Sequence, residues 1–310
     1  MKKTKLIASL FSILSLFVLC ATAELSAAAG KSRVILARNP KAINDRNQAD
    51  ARETARLFDH AFQALTAQKT AADSWKALGL RPADVVAVKI NCNTWTITLS
   101  PLPELLDALC RSLQTVIPAN QIIIYDNDSA AMKECRFVLN RSGSGVRYTG
   151  TDQGDGFDPK EGLTRIVTGM ATKVINLASL KCAEGDLVAS LILKNQIGSL
   201  VPGDMPKCHN DPDFLAGVCA RPSLRSKTIL NMVSGLRGTY RRGVPWYWGG
   251  IILGTDPLAV ETAAIGVMNE KRVLEKVGPL PLPQALKIAE TKYGLGTTSD
   301  ARIERIKVDL

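Results

Sequence analysis

Apolar residues recur along this chain in two alternating rhythms, one of strand type and one of helix type. Arg33-Val34-Ile35-Leu36-Ala37 is a short apolar run of strand length, and residues 47–66 then carry Ala51, Ala55, Phe58, Phe62 and Leu65 at helical spacing. The alternation continues with DVVAVKIN at residues 84–91, a β-branched run of the kind a strand buried on both faces requires, and with a helical pattern over residues 103–116. Residues 121–126 (QIIIYD) form another such strand. A helix near residues 130–139, a short strand at 146–149 and a buried strand at 173–177 (KVINL) complete the first half. Strands alternating with helices predict an α/β fold, a largely parallel sheet with helices on both faces.

The second half is less regular. Residues 185–198 have helical character, 202–210 read as a loop, and Asp211-Pro212 opens a helix that ends near Ala220. Strand signals return at 228–233 and 250–253. Asp256-Pro257 begins a helix through about Lys271, a further helix spans 283–293, and residues 303–308 supply a strand that closes the sheet. There is no internal repeat. The Gly-, Asn- and Asp-rich middle, roughly residues 150–249, has the character of site-forming loops on a rigid scaffold. Residues 33–310 are therefore expected to form a single α/β domain with a loop-rich middle segment.

What precedes that domain has a different pattern. Lys2, Lys3 and Lys5 are followed by an apolar run from Leu6 to Cys20 and by Ala21-Thr22-Ala23, the order of a cleavable signal peptide over residues 1–23, with a linker at 24–32. The run is shorter than the roughly 20 residues that span a bilayer. A periplasmic or secreted mature chain without a transmembrane segment is expected.

Removing those 23 residues and their three lysines takes the 310-residue chain to 287 residues and its formal charge from +10 to +7. That excess favours anionic small molecules or an anionic envelope surface, but the basic residues are scattered and no nucleic-acid module is present, so no nucleic-acid partner is expected. Six cysteines remain: Cys92, Cys110, Cys135, Cys182, Cys208 and Cys219. An oxidising compartment predicts that at least two are disulfide-bonded. No C-x-x-C spacing occurs, so neither a thioredoxin-type site nor an iron–sulfur cofactor is predicted. An iron–sulfur or other metal carrier using Cys182, Cys208 and Cys219, all in the loop-rich middle, stands as the alternative.

Ligands of open parallel sheets gather outside the carboxyl ends of the strands, which directs attention to the polar residues that finish the buried runs. These are Lys89, Asn91 and Asn93; Asp126 and Asn127; and the stretch from Asn176 to Lys181. Lys194 and Asn195 end the apolar stretch that starts at Leu191. His60, two positions from Phe58 on its helix, faces solvent in this reading, whereas His209 lies in a loop where it can serve as a general acid or base. No zinc motif, phosphate-binding glycine loop or nucleophile elbow occurs. Asp211 and Asp256 each precede Pro, the order of a helix N-cap and first helical residue.

An ordered set of segments carries a resemblance: Lys89-Ile90-Asn91, 122–126, 175–181, Leu193-Lys194-Asn195 with Ile197-Gly198, 209–212, Leu236-Arg237-Gly238, 254–259 and Gly294-Leu295-Gly296. Together, over roughly residues 33–308, the chain resembles the domain-of-unknown-function family numbered 362. Members are exported or cytoplasmic and are often described as iron–sulfur proteins, because some carry an added ferredoxin module that this chain lacks. It departs from the family pattern at Leu180-Lys181-Cys182-Ala183, where relatives often have LKDH, and at Glu261, where an Asp commonly stands. The missing imidazole argues against histidine-dependent chemistry at that place.

The leading expectation is a cleft for a small anionic ligand, with Lys89, Asp126 and His209 as candidate catalytic groups and Asn91, Lys181, Lys194, Asn195 and Asp256 as ligand-binding ones. Catalysis and simple binding both stay open at this point, as does a non-catalytic envelope-binding protein supported by the +7 charge.

Overall fold

The computed structural model describes residues 30–92, 99–183, 185 and 188–310. The expected signal peptide, most of the linker, and Asn93 lie outside the described residues. The fold is that of the unit Ser32–Leu310. Nine strands form one mixed sheet: β1 (Ser32–Arg38), β2 (Val86–Lys89), β3 (Ile122–Asp126), β4 (Arg147–Gly150), β5 (Lys173–Lys181), β6 (Thr228–Arg241), β7 (Val244–Trp246), β8 (Gly250–Gly254) and β9 (Ile303–Asp309). The order across it is β4-β3-β2-β5-β6-β8-β1-β9, with β7 pairing on β6. Strands β4, β3, β2, β5 and β6 are mutually parallel, and β1 and β9 run the same way, while β8 is antiparallel to both β6 and β1. The expectation of a largely parallel α/β sheet holds, and β8 is the reversed strand in the middle of it.

The strand runs are continuously apolar because both faces are covered. Val86 and Val88 of β2, Ile122 and Ile124 of β3, and Ile251 and Leu253 of β8 face one core, together with Leu57, Phe58, Phe62, Trp75 and the leucines of the third helix. Ala87, Ile123, Tyr125 and Ile252 face the other, with the apolar residues of the long penultimate helix. Alternate residues of a strand point to opposite faces, so a strand sandwiched between helix layers needs apolar side chains at every position.

The helices among the described residues are α1 (Ala51–Thr66), α2 (Ala71–Ala77), α3 (Pro103–Leu113), α4 (Ser129–Glu134), α5 (Ile192–Asn195), α6 (Pro212–Cys219), α7 (Pro222–Lys227), α8 (Pro257–Leu274) and α9 (Gln284–Thr291). Their starts follow capping chemistry: Asp50, Thr70, Asp128, Asp211 and Asp256 each accept a hydrogen bond from the first turn. His60 is exposed on α1, as its spacing from Phe58 implies. None of the described helices is long and apolar enough to cross a membrane.

Three features depart from the sequence expectation. The middle of the chain is more regular than its Gly- and Asn-rich composition suggests, since β6 runs for fourteen residues through Gly235 and Gly238. Those glycines are required by packing: a Cβ on Gly238 would fall 2.4 Å from the Leu180 carbonyl oxygen, and one on Gly235 2.6 Å from the Trp248 ring. The loop expected at 202–210 is a run of 3₁₀ turns, Pro202–His209. Finally, the six cysteines are all free and buried rather than disulfide-bonded. The fold sends most of them to different neighbours: Cys182 to the Val188 carbonyl, Cys208 to Lys194, Cys219 to the Leu193 carbonyl, and Cys110 to Tyr148.

Candidate functional site

Lys89 is the last residue of β2 and, by strand alternation, shares the face of Ala87, so its stem enters the layer covered by residues 191–200. Its side chain is 1% exposed and its Nζ lies 2.6 Å from Asp126 Oδ1, whose side chain is 3% exposed. The ammonium also donates to the Ile90 carbonyl at 2.6 Å and reaches Asn195 Oδ1 at 3.5 Å, and it sits 5.9 Å from the Tyr125 ring centroid. A buried lysine is tolerable only when its donors are satisfied in this way.

Asp126 ends β3, adjacent to β2 in the sheet. Besides Lys89, its carboxylate accepts the backbone N–H groups of Cys92 at 2.5 Å and Asn127 at 2.8 Å. Three donors thus fix one carboxylate. Asn195 is fixed as firmly, its Nδ2 donating to the Lys89 carbonyl at 3.1 Å and to Asn176 Oδ1 at 2.7 Å. Gly198 closes the arrangement from above. A Cβ there would come within 2.8 Å of Lys89 Cε and Nζ, so the backbone can lie on the ion pair only because no side chain intervenes.

Beyond this closed layer lies a cavity of about 260 Å³, lined among others by Lys89, Asn91, Asp126, Lys181, Lys194, Asn195 and His209. The carboxyl ends of β2, β3 and β5 therefore bring together seven of the eight residues named from the sequence. Lys181, last in β5, donates to Asn91 Oδ1 at 2.9 Å. Burial, reinforced by the like charges of Lys89 and Lys194 and opposed by Asp126 and Cys92, brings its pKa down to about 8. Lys194, on α5, lies 2.6 Å from Cys208 Sγ and 3.4 Å from His209 Nε2. Burial, then the Lys194 charge, lowers the His209 pKa, which favours the neutral imidazole.

Asp256 is the exception. It caps α8 through the N–H groups of Leu258 and Ala259, and its other oxygen accepts from Ser32 Oγ at 2.6 Å and from the Thr297 N–H at 3.0 Å. It ties the start of α8 to the first strand and to the segment before β9, away from the cavity. The Asp-Pro dipeptide carried the cap signal, and the cap is what the fold uses. Of the cysteines named for a metal alternative, Cys182 contacts the Val188 carbonyl, Cys208 contacts Lys194 and Cys219 contacts the Leu193 carbonyl, and the described residues contain no group of three His, Cys, Asp or Glu side chains placed to hold a metal ion.

Asn127, which ends a buried run, and Ile197 and Gly198 also line the cavity; sequence reasoning missed Ser190, Met205 and Pro206, which complete the lining. Glu261, noted only as a departure from a family pattern, is buried on α8 and its carboxylate accepts the N–H of Leu193 at 2.8 Å, with Ile192 as a second backbone donor. It therefore anchors the start of α5, the turn that carries Lys194 and Asn195. The only signal for this was a lone Glu on the apolar face of a helix.

No family model, curated protein or solved structure matches this chain.

Proposed function

We propose that this chain is an exported protein that binds a small anion, a carboxylate or a phosphate, in the cavity at the carboxyl ends of β2, β3 and β5. The observation that carries the reading is the gathering of three lysines around one cavity: Lys89, Lys181 and Lys194 all line it, and the like charges of Lys89 and Lys194 help to lower the Lys181 pKa. Cations gathered in a half-enclosed cavity repel one another, and an anion relieves that repulsion.

The roles divide along the same line. Lys89 and Asp126 position the strand ends and Asn195, whereas Lys181 and Lys194 meet the ligand, with Asn91 and His209 as hydrogen-bonding neighbours. With a pKa near neutrality, Lys181 is also the group best suited to take up or release a proton if the bound anion reacts. Membership of the family numbered 362 belongs to the same proposal and rests on the ordered motifs alone.

Calorimetric titration with inorganic phosphate, acetate and succinate tests the reading. At least one should bind, and Lys181→Gln and Lys194→Gln should each weaken it by about tenfold, equivalent to about 1.4 kcal/mol. Affinity should fall as pH rises through about 8, where Lys181 loses its charge. Affinity that survives the double Gln variant unchanged would overturn the assignment. Export is tested separately by N-terminal sequencing of the mature protein, with Glu24 expected first and an intact Met1 or Lys2 start overturning it.

A further inference from the structure

One contact in the wall of the strand-end cavity is unlike the other sulfur contacts of the molecule. Lys194 Nζ lies 2.6 Å from Cys208 Sγ, whereas the thiols of Cys135, Cys182 and Cys219 lie 3.8–4.0 Å from the backbone carbonyls they face. An amine so close to a sulfur is at reacting distance, inside the roughly 3–3.5 Å of a near-attack arrangement. The two groups come from separate elements, Lys194 from α5 and Cys208 from the 3₁₀ turns Pro202–His209.

We propose that Lys194 and Cys208 form a covalent nitrogen–sulfur crosslink, a sulfenamide, when hydrogen peroxide oxidises the thiol, and that this bond switches off anion binding. The switch, though not the crosslink, rests on the anion-binding function proposed above. Peroxide reacts first: the sulfur attacks one peroxide oxygen, the O–O bond breaks, and the thiol becomes a sulfenic acid with release of water. The Lys194 ammonium then passes a proton to His209 Nε2, 3.4 Å away, and the freed amine attacks the sulfur. The N–S bond forms as the S–O bond breaks, and the departing hydroxide leaves as water with a second amine proton. Sulfur loses two electrons and one peroxide gains them.

The surroundings select the amine as the group that resolves the sulfenic acid. Cys208 is the one buried residue of its segment, with exposed Lys207 and His209 on either side. Eight residues is long for 3₁₀ geometry, whose hydrogen bonds are poorer than those of an α-helix, so this wall opens at low cost and a molecule as small as peroxide can enter. The thiols of Cys182 and Cys219 face the Val188 and Leu193 carbonyls, which leaves the amine as the nucleophile against Cys208. Burial and the Lys194 charge lower the His209 pKa, which keeps its imidazole available to take the proton. A sulfenamide nitrogen carries no charge. The crosslink therefore removes one of the two ammonium groups that meet the ligand, and it ties the 3₁₀ segment to α5.

The test is intact mass and peptide mapping of the full reduced chain, denatured before and after treatment with stoichiometric hydrogen peroxide. The oxidised chain should have lost two hydrogens, with Cys208 closed to iodoacetamide, the peptide bond after Lys194 closed to trypsin, and both restored by dithiothreitol. Lys194→Arg, which keeps the charge, should halt oxidation at a dimedone-trappable sulfenic acid on Cys208, and Cys208→Ser should prevent any link to Lys194. Inorganic phosphate should bind the crosslinked chain about tenfold more weakly than the reduced one, matching Lys194→Gln. A disulfide at Cys208, or an oxidised Cys208 beside a Lys194 that trypsin still cleaves, would overturn the crosslink; equal phosphate affinity of the two forms would overturn the switch. Failure of the reduced chain to bind phosphate, acetate or succinate would overturn the anion site and the switch together, and the mass change would still decide the crosslink.

Discussion

Two cavities of the molecule, the one of about 260 Å³ at the strand ends and one of about 580 Å³ lined by residues 46–49, 102–104 and 134–136 and by Arg237, are built on opposite principles. In the strand-end cavity the deepest charges, Lys89 and Asp126, are paired and Asn195 Nδ2 has two acceptors, so the polar groups there hold the fold together. In the wall of the second cavity two buried polar atoms, Glu104 Oε2 and Arg237 Nε, are left without partners. A polar group fixed by neighbours is expensive to remove and slow to change; one left unsatisfied costs stability where it stands and is free to engage something else. Substitutions should therefore have contrasting effects in the two cavities.

The largest effect is expected at Lys89. Lys89→Met strands a buried carboxylate and should cost about 3–5 kcal/mol in chemical denaturation; a loss under about 1 kcal/mol would erase the contrast. Next is Gly198→Ala, which puts a methyl group 2.8 Å from Lys89 Cε and Nζ and should cost about 1–3 kcal/mol, read as a lower urea midpoint at unchanged slope.

Glu261→Gln should act through pH. Burial pushes the Glu261 carboxyl from its ordinary 4.5 up to about 7, against the two backbone donors that favour its charged form. The folded chain thus holds a proton that the unfolded chain releases, so this contribution to stability is complete below about pH 4.5 and is lost as pH rises through about 7. Glutamine keeps an acceptor but does not titrate, and the fall in denaturation midpoint across that window should flatten. The smallest effect belongs to the other cavity. Arg237→Met removes an unsatisfied buried donor and only two long hydrogen bonds, to Asn47 at 3.3 Å and Ser100 at 3.4 Å, and should change stability by less than about 1 kcal/mol.

The sequence made the strand ends legible because a lysine or aspartate closing an apolar run leaves few places for the chain to go. Lys89 and Asp126 are such residues, and topology alone brings β2 beside β3. Lys181, Lys194 and His209 could be gathered with them because each also ends or follows an apolar stretch near the same sheet edge. Asp256 had a similar local signature, a charged residue after a strand, but β8 runs backwards, so its carboxyl end emerges at the opposite edge. Strand direction is a property of long-range pairing, which periodicity does not carry. The larger cavity left no trace for a related reason: its wall comes from four separate segments, and nothing local marks Cys135 or Arg237 as neighbours. The missing disulfides follow from the same limit, since cysteine number says nothing of which thiols the core keeps apart.

The reversed strand β8 also sets the order in which the molecule can be completed. β1 is the first strand of the sheet to leave the ribosome, yet it lies between β8 and β9, pairing Val34 with Gly254 on one side and Ser32 with Ile303 on the other. Both partners follow β1 by more than 200 residues, so β1 waits with two open hydrogen-bonding edges until the chain has reached β8 and β9. Pairings so distant in sequence close slowly, because loop entropy is lost before the contacts repay it.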